Sequence, residues 1–199
     1  MVPARKKYPS VFLEIVSSFC ALEAYDDLMG NILIQHYKAP QGDLLLGAYD
    51  ERLCLCDWNT RTMRERIDLR IQTALNADYV EANCDVLDET ARQLDSYFAL
   101  KRQQFDLPLM MSGSAFQQTV WQALLLIPYG TTTSYLDLAE KLGNKQAVRA
   151  VASANGANAI SIIIPCHRVI ANNGQLSGYA GGTDAKESLI RLEQQKTLR

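Results

Sequence analysis

The sequence predicts an α+β protein in which a small α/β unit precedes a mostly helical unit. Residues 32–58 contain three short apolar segments with turn residues between them, which is the pattern of paired strands. Residues 114–199 instead place apolar side chains at helical spacing. With 199 residues, 48% of them apolar, the chain is long enough to bury a hydrophobic core in one or two domains.

Residues 1–30 are predicted to form an added amphipathic helix ahead of both units. Their apolar side chains fall on one stripe, at Phe12, Ile15, Val16, Phe19 and Leu22. The basic run Arg5–Lys7 imitates the start of a signal peptide, but Glu14 and later acidic residues interrupt the apolar stretch. No run long enough to span a bilayer follows, so we expect a soluble protein without a membrane partner.

The N-terminal unit, residues 31–107, is predicted to begin with an antiparallel meander. Its strands run from Ile32 to Tyr37, from Asp43 to Tyr49 and from Leu53 to Trp58. A Pro-Gln-Gly turn separates the first two strands and a charged turn separates the last two, as is typical of hairpin connections.

A helix is predicted to complete this unit, with Asp85 as its N-cap. Its apolar positions recur at helical spacing, at Val86, Leu87, Ala91, Leu94, Tyr97 and Phe98. Titratable side chains do not gather at a motif spacing anywhere in this half of the sequence. We therefore interpret the N-terminal unit as a scaffold.

The C-terminal unit, residues 114–199, follows a linker at residues 107–114 and opens with a helix. One face of this helix is apolar, with Phe116, Val120, Trp121, Leu124 and Leu125. The turn residues Pro128-Tyr-Gly130 are predicted to end it.

Two short helices joined by a glycine-containing turn follow, and they form a helix-turn-helix candidate. Thr133 or Ser134 caps the first helix, Tyr135 to Leu142, and the second runs from about Gln146 to Asn155. The second helix is rich in alanine and Arg149 is its only cation, so it can approach a DNA groove closely while reading little sequence. The alternative is an ordinary helical hairpin in a core.

Cys166 is the strongest chemical signal in the chain. It lies between Pro165 and His167 in an otherwise β-branched run, and His167 is one of only two histidines. A thiol attacks as its thiolate, which a nearby base or cation makes accessible near neutral pH. The proline fixes φ and helps to hold the nucleophile in one pose. A buried structural cysteine is the alternative, but the polar and charged neighbours favour a reactive thiol.

Charge and cysteine content limit the functional classes. The net charge of −2 argues against a general nucleic-acid coat, although residues 114–199 carry eight Lys and Arg against five Asp and Glu. Five scattered cysteines do not suggest a disulfide framework, so a reducing cytoplasmic setting is expected. Cys54 and Cys56 lie in an alternating apolar run without a second ligand pair, and no metal or cofactor is predicted.

The stretch from Phe116 to Glu193 resembles the O6-alkylguanine-DNA alkyltransferase family, also called methylated-DNA–protein-cysteine methyltransferases. The matching motifs are Phe116 with Val120-Trp121, Ile127-Pro-Tyr-Gly130, Ser134-Tyr135 with Leu138-Ala139, Ala147 with Arg149-Ala-Val151, Ala154-Asn155 with Asn158, Ile164-Pro-Cys-His-Arg-Val-Ile170, Gly174 with Leu176, Gly178-Tyr-Ala-Gly-Gly182, and Lys186-Glu187 with Glu193. The Pro-Cys-His-Arg-Val core is highly specific to that family. The first half from Tyr37 also resembles the smaller N-terminal domain of that family, which implies a ribonuclease H-like unit, while residues 1–30 fall outside the resemblance.

The resemblance implies a DNA-repair enzyme that acts once. Cys166 would accept a methyl or other alkyl group from O6 of guanine, with O4 of thymine as an open second position, and the thioether would not be reversed. His167 would be the general base and Glu193 would orient it. Tyr135 would donate a hydrogen bond to the leaving base. No cofactor is implied.

The resemblance also implies how DNA is held. The partner would be double-stranded DNA containing O6-alkylguanine, bound mainly through the minor groove by a monomer, with the damaged nucleotide flipped out. Arg149 would fill the space of the flipped base, and the other implied DNA contacts are Tyr135, Asn144, Ala150 and Ser153. The implied base pocket consists of Asn158, Val169, Tyr179, Ala180 and Gly181.

Two other functional classes fit parts of the sequence. A DNA-binding regulator or damage sensor would use the helix-turn-helix, but it would leave Cys166 and His167 without a purpose. A cysteine hydrolase would use the thiol and imidazole, but it would not explain the helix that carries Arg149.

Overall fold

The computed structural model describes residues 30–176 and 178–197, with side chains described up to residue 195. The helix predicted in residues 1–30 lies outside the described residues, apart from Gly30. Within the described part of the chain, the architecture is mixed α+β, as the sequence predicted. None of its helices is both long enough and apolar enough to cross a membrane.

A four-stranded sheet forms the first layer, in the order β3-β2-β1-β4. Strands β1 (Ile32–Ala39), β2 (Gly42–Tyr49) and β3 (Arg52–Trp58) pair antiparallel, so the predicted meander is confirmed. Strand β4 (Tyr79–Glu81) joins the other side of β1 in parallel.

Helix α1 (Arg64–Leu75) and strand β4 were not predicted from the sequence. Only two α1 side chains, Ile67 and Ile71, are buried, and most of its other residues are polar, so its apolar period is weak. The helix also begins after Met63, a residue with φ of 65° whose side chain makes no cap. A three-residue strand is too short to give a recognisable pattern.

Helix α2 (Asp85–Phe98) packs across the sheet and matches the predicted helix, except at its start. The N-cap is Cys84 in extended conformation, and Asp85 is the first helical residue, so the capping role predicted for Asp85 is wrong. The side chain of Asn83 accepts a hydrogen bond from the backbone N–H of Cys84 instead. The buried stripe of α2 consists of Leu87, Thr90, Gln93, Leu94 and Tyr97.

The second half is mostly helical. Helix α3 (Ala115–Leu125) starts with a capping box between Ser114 and Gln117. It ends earlier than the turn at Pro128, because Leu126 already forms the C-cap. The buried residues of α3 are Val120, Trp121 and Leu124, whereas Phe116 and Leu125, which were predicted on the same apolar face, are exposed.

Two short helices follow. Helix α4 (Tyr135–Lys141) is capped by Ser134, which resolves the alternative between Thr133 and Ser134. A 3-10 turn (Lys145–Ala147) leads into helix α5 (Val148–Gly156). The indole N–H of Trp121 in α3 donates to the Ala154 carbonyl at 2.8 Å and ties α5 to α3.

The chain then crosses back to the sheet and ends in helix α6 (Gly182–Thr197). Strands β5 (Thr133–Ser134) and β6 (Val169–Ile170) form a small parallel pair. One continuous apolar cluster includes Trp58 of the sheet, Leu94 of α2, Trp121 of α3 and Leu189 of α6. The sheet and the helical half therefore share a core, which fixes their relative position.

Candidate active site

Cys166 begins a 3-10 turn (Cys166–Arg168) at the end of an apolar segment, and it is buried. Its thiol accepts a hydrogen bond from the Asn158 amide, whose Nδ2 lies 3.1 Å from Sγ. The Asn155 amide lies 3.4 Å from the Cys166 carbonyl. The nucleophile predicted from sequence therefore has a fixed position between two asparagines.

Asn158 ties the turn after α5 to the cysteine segment. Its Nδ2 also donates to the carbonyl oxygens of Ile164 at 3.0 Å and Ile160 at 3.3 Å. Its Oδ1 accepts from the backbone N–H of Ile160 at 2.9 Å. Because every polar atom of this buried amide is engaged, Asn158 cannot turn away from the thiol without losing several hydrogen bonds.

The environment of Cys166 keeps the thiol protonated at rest. Burial raises its pKa above the ordinary value, and the hydrogen bond from Asn158 opposes that rise only in part. Asp57 raises the pKa further, whereas Lys186 and Arg61 lower it. A base is therefore needed to make the thiolate when substrate arrives.

His167 and Glu193 form the candidate base and its support. His167 Nε2 lies 2.8 Å from Glu193 Oε1, and both side chains are buried. Burial lowers the pKa of His167, and the hydrogen bond to Glu193 only partly compensates. A carboxylate can only accept, so Nε2 carries the proton of a neutral ring. Nδ1 is buried and has no hydrogen-bond partner among the described residues, which leaves its lone pair for another proton.

Glu193 is the most heavily bonded carboxylate described in the site. Arg168 donates to it twice, from Nε to Oε2 at 2.9 Å and from Nη2 to Oε1 at 3.0 Å. Tyr97 Oη donates to Oε1 at 2.8 Å and the Gly130 N–H donates to Oε2 at 3.1 Å. Burial alone would raise the pKa of Glu193, but the hydrogen bonds from His167 and Arg168 and the positive charge of Arg168 hold it at about 2.

Sequence reasoning missed the roles of Tyr97 and Arg168 in this cluster. Tyr97 was predicted only as an apolar position of α2, although a buried tyrosine hydroxyl normally requires a partner. Its ring belongs to the core while its hydroxyl reaches Glu193 in α6. Arg168 was noted only as a neighbour of Cys166.

Tyr179 and Gly181, which the resemblance implied as pocket residues, both lie against Trp58. Trp58 Nε1 donates to Tyr179 Oη at 3.1 Å, and the two rings meet edge to face. The Tyr179 ring also lies edge-on to His167, with centroids 6.3 Å apart. A Cβ atom on Gly181 would come within 2.7 Å of the Trp58 ring, so only glycine fits there without displacing Trp58.

Tyr135 and Val169 belong to the apolar cluster that contains Cys166. Burial raises the pKa of Tyr135, and a thiolate at Cys166 would raise it further, so the phenol stays protonated. Lys186 bridges the two residues, because its Nζ donates to the Val169 carbonyl at 2.6 Å and lies 5.9 Å from the Tyr135 ring centroid. Ala180, between Tyr179 and Gly181, is partly buried against the core.

Of the residues predicted to contact DNA, Tyr135 is partly buried against the core and the other four lie on an outer surface. Arg149, Ala150 and Ser153 are exposed on α5, and residues 149 and 153 share one helical face. Asn144 is exposed too, and its side chain caps the 3-10 turn by accepting from the Gln146 N–H at 3.0 Å. The opposite face of α5 is buried at Val151, Ala154 and Asn155, and the Asn155 amide contacts the Cys166 carbonyl.

Within residues 30–176 and 178–197, no three His, Cys, Asp or Glu side chains stand close enough together to hold a metal ion. The four cysteines of this part, Cys54, Cys56, Cys84 and Cys166, are free thiols.

Comparisons with known proteins agree with this geometry. Residues 115–195 match the family model of the 6-O-methylguanine DNA methyltransferase DNA-binding domain. A methylated-DNA–protein-cysteine methyltransferase of Methanosarcina barkeri is 43% identical over 157 residues, which are 79% of this chain and 94% of the relative. The constitutive enzyme of that name from Bacillus subtilis is 41% identical over 160 residues, or 78% and 92% of the two chains.

Among solved structures, the Mycobacterium tuberculosis protein OGT in complex with DNA matches with a TM-score of 0.71 and 37% sequence identity. The match covers 82% of this chain and 93% of that chain. The family resemblance that the sequence motifs predicted is therefore confirmed.

The state of Glu193 predicts an acid dependence of stability. Its folded pKa of about 2 lies below the ordinary 4.5, so the ionised carboxylate contributes stability above pH 4.5 that is lost as the pH falls toward 2. We expect Glu193→Gln to lower the free energy of unfolding by about 3–5 kcal/mol at pH 7, because it leaves Arg168 buried without its counter-ion. The difference from wild type should narrow as the pH is lowered to 3.

Urea unfolding at several pH values measures this difference. Glu187→Gln, in the exposed pair with Arg191 on the same helix, is the matched control and should change stability little at any pH. A Glu193→Gln difference of equal size at pH 3 and pH 7 would show that the ionisation of Glu193 does not stabilise the fold.

Proposed function

The chain belongs to the methylated-DNA–protein-cysteine methyltransferase family, and we propose that it repairs DNA by transferring an alkyl group from O6 of guanine to Sγ of Cys166. The arrangement of side chains around the Cys166 thiol supports the roles that we assign to them. Asn158 donates to Sγ at 3.1 Å, and the neighbouring His167 is fixed through Nε2 to the Glu193 carboxylate. DNA is the partner of the related structure from Mycobacterium tuberculosis.

The reaction is a displacement at the alkyl carbon. The Cys166 thiol gives its proton, through a water molecule, to Nδ1 of His167, and Glu193 stabilises the resulting imidazolium. The thiolate attacks the alkyl carbon, a C–S bond forms and the C–O6 bond breaks, with the electron pair going to the guanine. The proton taken from the thiol balances the proton that the restored guanine gains.

Tyr135 helps the guanine to leave. A developing negative charge on the purine ring is stabilised by a hydrogen-bond donor, and a phenol with a raised pKa keeps its proton for that purpose. The thioether on Cys166 does not hydrolyse, so each molecule acts once. O4 of an alkylated thymine offers the same kind of leaving oxygen and is the second substrate that we propose.

The helices α4 and α5 serve as a helix-turn-helix that approaches the minor groove of double-stranded DNA. Ala150 and Ser153 are small and exposed, so the α5 backbone can approach the DNA closely, and Asn144 lies at the start of the turn. Arg149 enters the duplex in the place of the flipped nucleotide. The positive surplus of residues 114–199 favours contact with phosphates.

The flipped base enters a pocket between two walls. Tyr179, Ala180 and Gly181 form the lid, with backbone N–H groups directed to O6, while Val169 and the Cys166 carbonyl form the opposite wall. The contact of Gly181 with Trp58 supports this proposal, because it holds the lid backbone in place without a side chain.

We further propose the organisation that the resemblance implied. Residues 1–30 form a helical extension, residues 31–107 a ribonuclease H-like scaffold, and residues 114–199 the DNA-binding and catalytic domain. The protein acts as a monomer. We place it in the cytoplasm because the described cysteines are free thiols, as is usual in a reducing compartment.

Replacement of the nucleophile tests the proposed function most simply. Cys166→Ala and Cys166→Ser should abolish transfer from duplex DNA containing O6-methylguanine, because no other described thiol has the same neighbours, while binding to that DNA survives. Mass spectrometry of the intact protein and of its peptides measures the transfer. Cys84→Ser, a partly exposed cysteine outside the site, should transfer like wild type. Stoichiometric methylation of Cys166→Ser would refute the assignment.

Arg149 allows nucleotide flipping to be separated from chemistry. Unpairing and unstacking a nucleotide costs a few kcal/mol and least in single strands, so Arg149→Ala should slow transfer from duplex DNA far more than from free O6-benzylguanine. Single-turnover rates on duplex, single strand and free base measure this. An equal loss on all three substrates would mean that Arg149 supports the pocket or the fold and does not enter the duplex.

A further inference from the structure

The segment between α5 and Cys166 is held by the edge strand of the sheet. The Cys56 N–H in β3 donates to the Ala159 carbonyl at 2.9 Å, and the Ser161 N–H donates to the Cys56 carbonyl at 2.6 Å. These two bonds form a parallel bridge between Cys56 and Ile160. Asn158, which contacts the thiol, therefore immediately precedes a stretch whose backbone is fixed by β3.

Two arginines of the N-terminal half cover three successive carbonyl groups at the C-terminal end of α5. Arg61 donates to the carbonyls of Gly156 and Asn158, the latter at 2.8 Å. Arg70 donates to the Ala157 carbonyl at 2.9 Å. Helix C-termini leave carbonyls unsatisfied and favour cations, so this arrangement stabilises the end of α5 in one position.

Arg61 is in turn fixed by a buried carboxylate. Its Nη1 lies 2.6 Å from Asp57 Oδ2, and the two side chains are 7% and 0% exposed. The other oxygen, Asp57 Oδ1, accepts from the Ser161 hydroxyl at 3.2 Å. Arg61 and Asp57 thus form hydrogen bonds on both sides of Asn158, with the Gly156 carbonyl before it and with the Ser161 hydroxyl after it.

We propose that Arg61 is a positioning residue for alkyl transfer, holding the backbone around Asn158 so that its amide faces the Cys166 thiol, with Asp57 as the buried counter-ion. This inference rests on the proposed function. Neither residue touches the reacting atoms, and both belong to the half of the chain that the sequence indicated as scaffold. The scaffold then contributes directly to the geometry of the nucleophile.

The ion pair also acts on the thiol through its charges. Although burial has the largest effect on the pKa of Cys166, Asp57 raises it and Arg61 lowers it. The ionisable groups that interact with the thiol through their charges are Cys56 and Asp57 of β3, Arg61, Tyr135 of α4, Tyr179, and Lys186 of α6, while His167 adjoins Cys166 in the chain. Loss of Asp57 should therefore lower the thiol pKa, whereas loss of Arg61 should raise it.

Four variants of the full chain test the proposal: Arg61→Ala, Arg61→Lys, Asp57→Asn and, as a control, Arg66→Ala. Arg66 is exposed on α1 and its loss removes the same charge without touching the network. The pH dependence of iodoacetamide labelling of the Cys166 peptide gives the thiol pKa, and single-turnover transfer from free O6-benzylguanine gives the rate without DNA binding. Thermal unfolding reports stability in parallel.

We expect Arg61→Ala to raise the thiol pKa and to slow transfer about 10²-fold at neutral pH, since a small misplacement of a reacting group can cost that much. Asp57→Asn should lower the thiol pKa and still slow transfer, because Arg61 loses its anchor. Arg61→Lys should keep the pKa near wild type and recover part of the rate. Arg66→Ala should behave like wild type in both measurements.

Other outcomes overturn the proposal. Shifts of the thiol pKa in the same direction in Arg61→Ala and Asp57→Asn, or lower melting temperatures with unchanged pKa and rate, would mean that the pair only stabilises the fold. If Arg61→Ala does not fold, Arg61→Lys and Asp57→Asn decide the question by the same criteria. Failure of the wild type to transfer at all would refute the proposed function, while the labelling experiment would still judge the role of Arg61.

Discussion

The buried carboxylate of Glu193 is the constraint on which the rest of the site depends. It accepts from His167, twice from Arg168, and from Tyr97 and Gly130, so it links α6 to α2 and to the loop after α3. A buried charge of this kind is tolerated only because its partners satisfy it. The same bonds that stabilise the carboxylate fix the proton of His167 on Nε2 and leave a lone pair on Nδ1, which we propose accepts the proton of the thiol.

The second constraint is the close contact of the two halves of the chain around Cys166. Asn158 holds the thiol, and Asn158 is itself held between α5 and β3 by the bonds of Arg61 and Cys56. A thiol in this environment stays protonated at rest, since burial raises its pKa. The nucleophile is thus kept inactive but accurately placed, which suits a protein that can react only once.

The sequence predicted much of the fold and the centre of the site. Apolar periodicity predicted the meander and α2, and the motif around Cys166 predicted the buried segment in which Cys166 and His167 lie. It did not predict α1, whose polar surface and Met63 start gave no periodic or capping signal. Tyr97 and Arg61 were missed for a different reason: their partners lie 96 and 97 residues away in the chain, and no local pattern reports such a contact.

Nitrogen-15 NMR of the histidine side chains measures whether Glu193 holds His167 as a neutral ring with an unprotonated Nδ1. The chain has only two histidines, so His36→Gln assigns the His167 signals. At pH 7 we expect a neutral ring with the proton on Nε2 and an unprotonated Nδ1. An imidazolium at that pH, or a proton on Nδ1, would contradict that expectation.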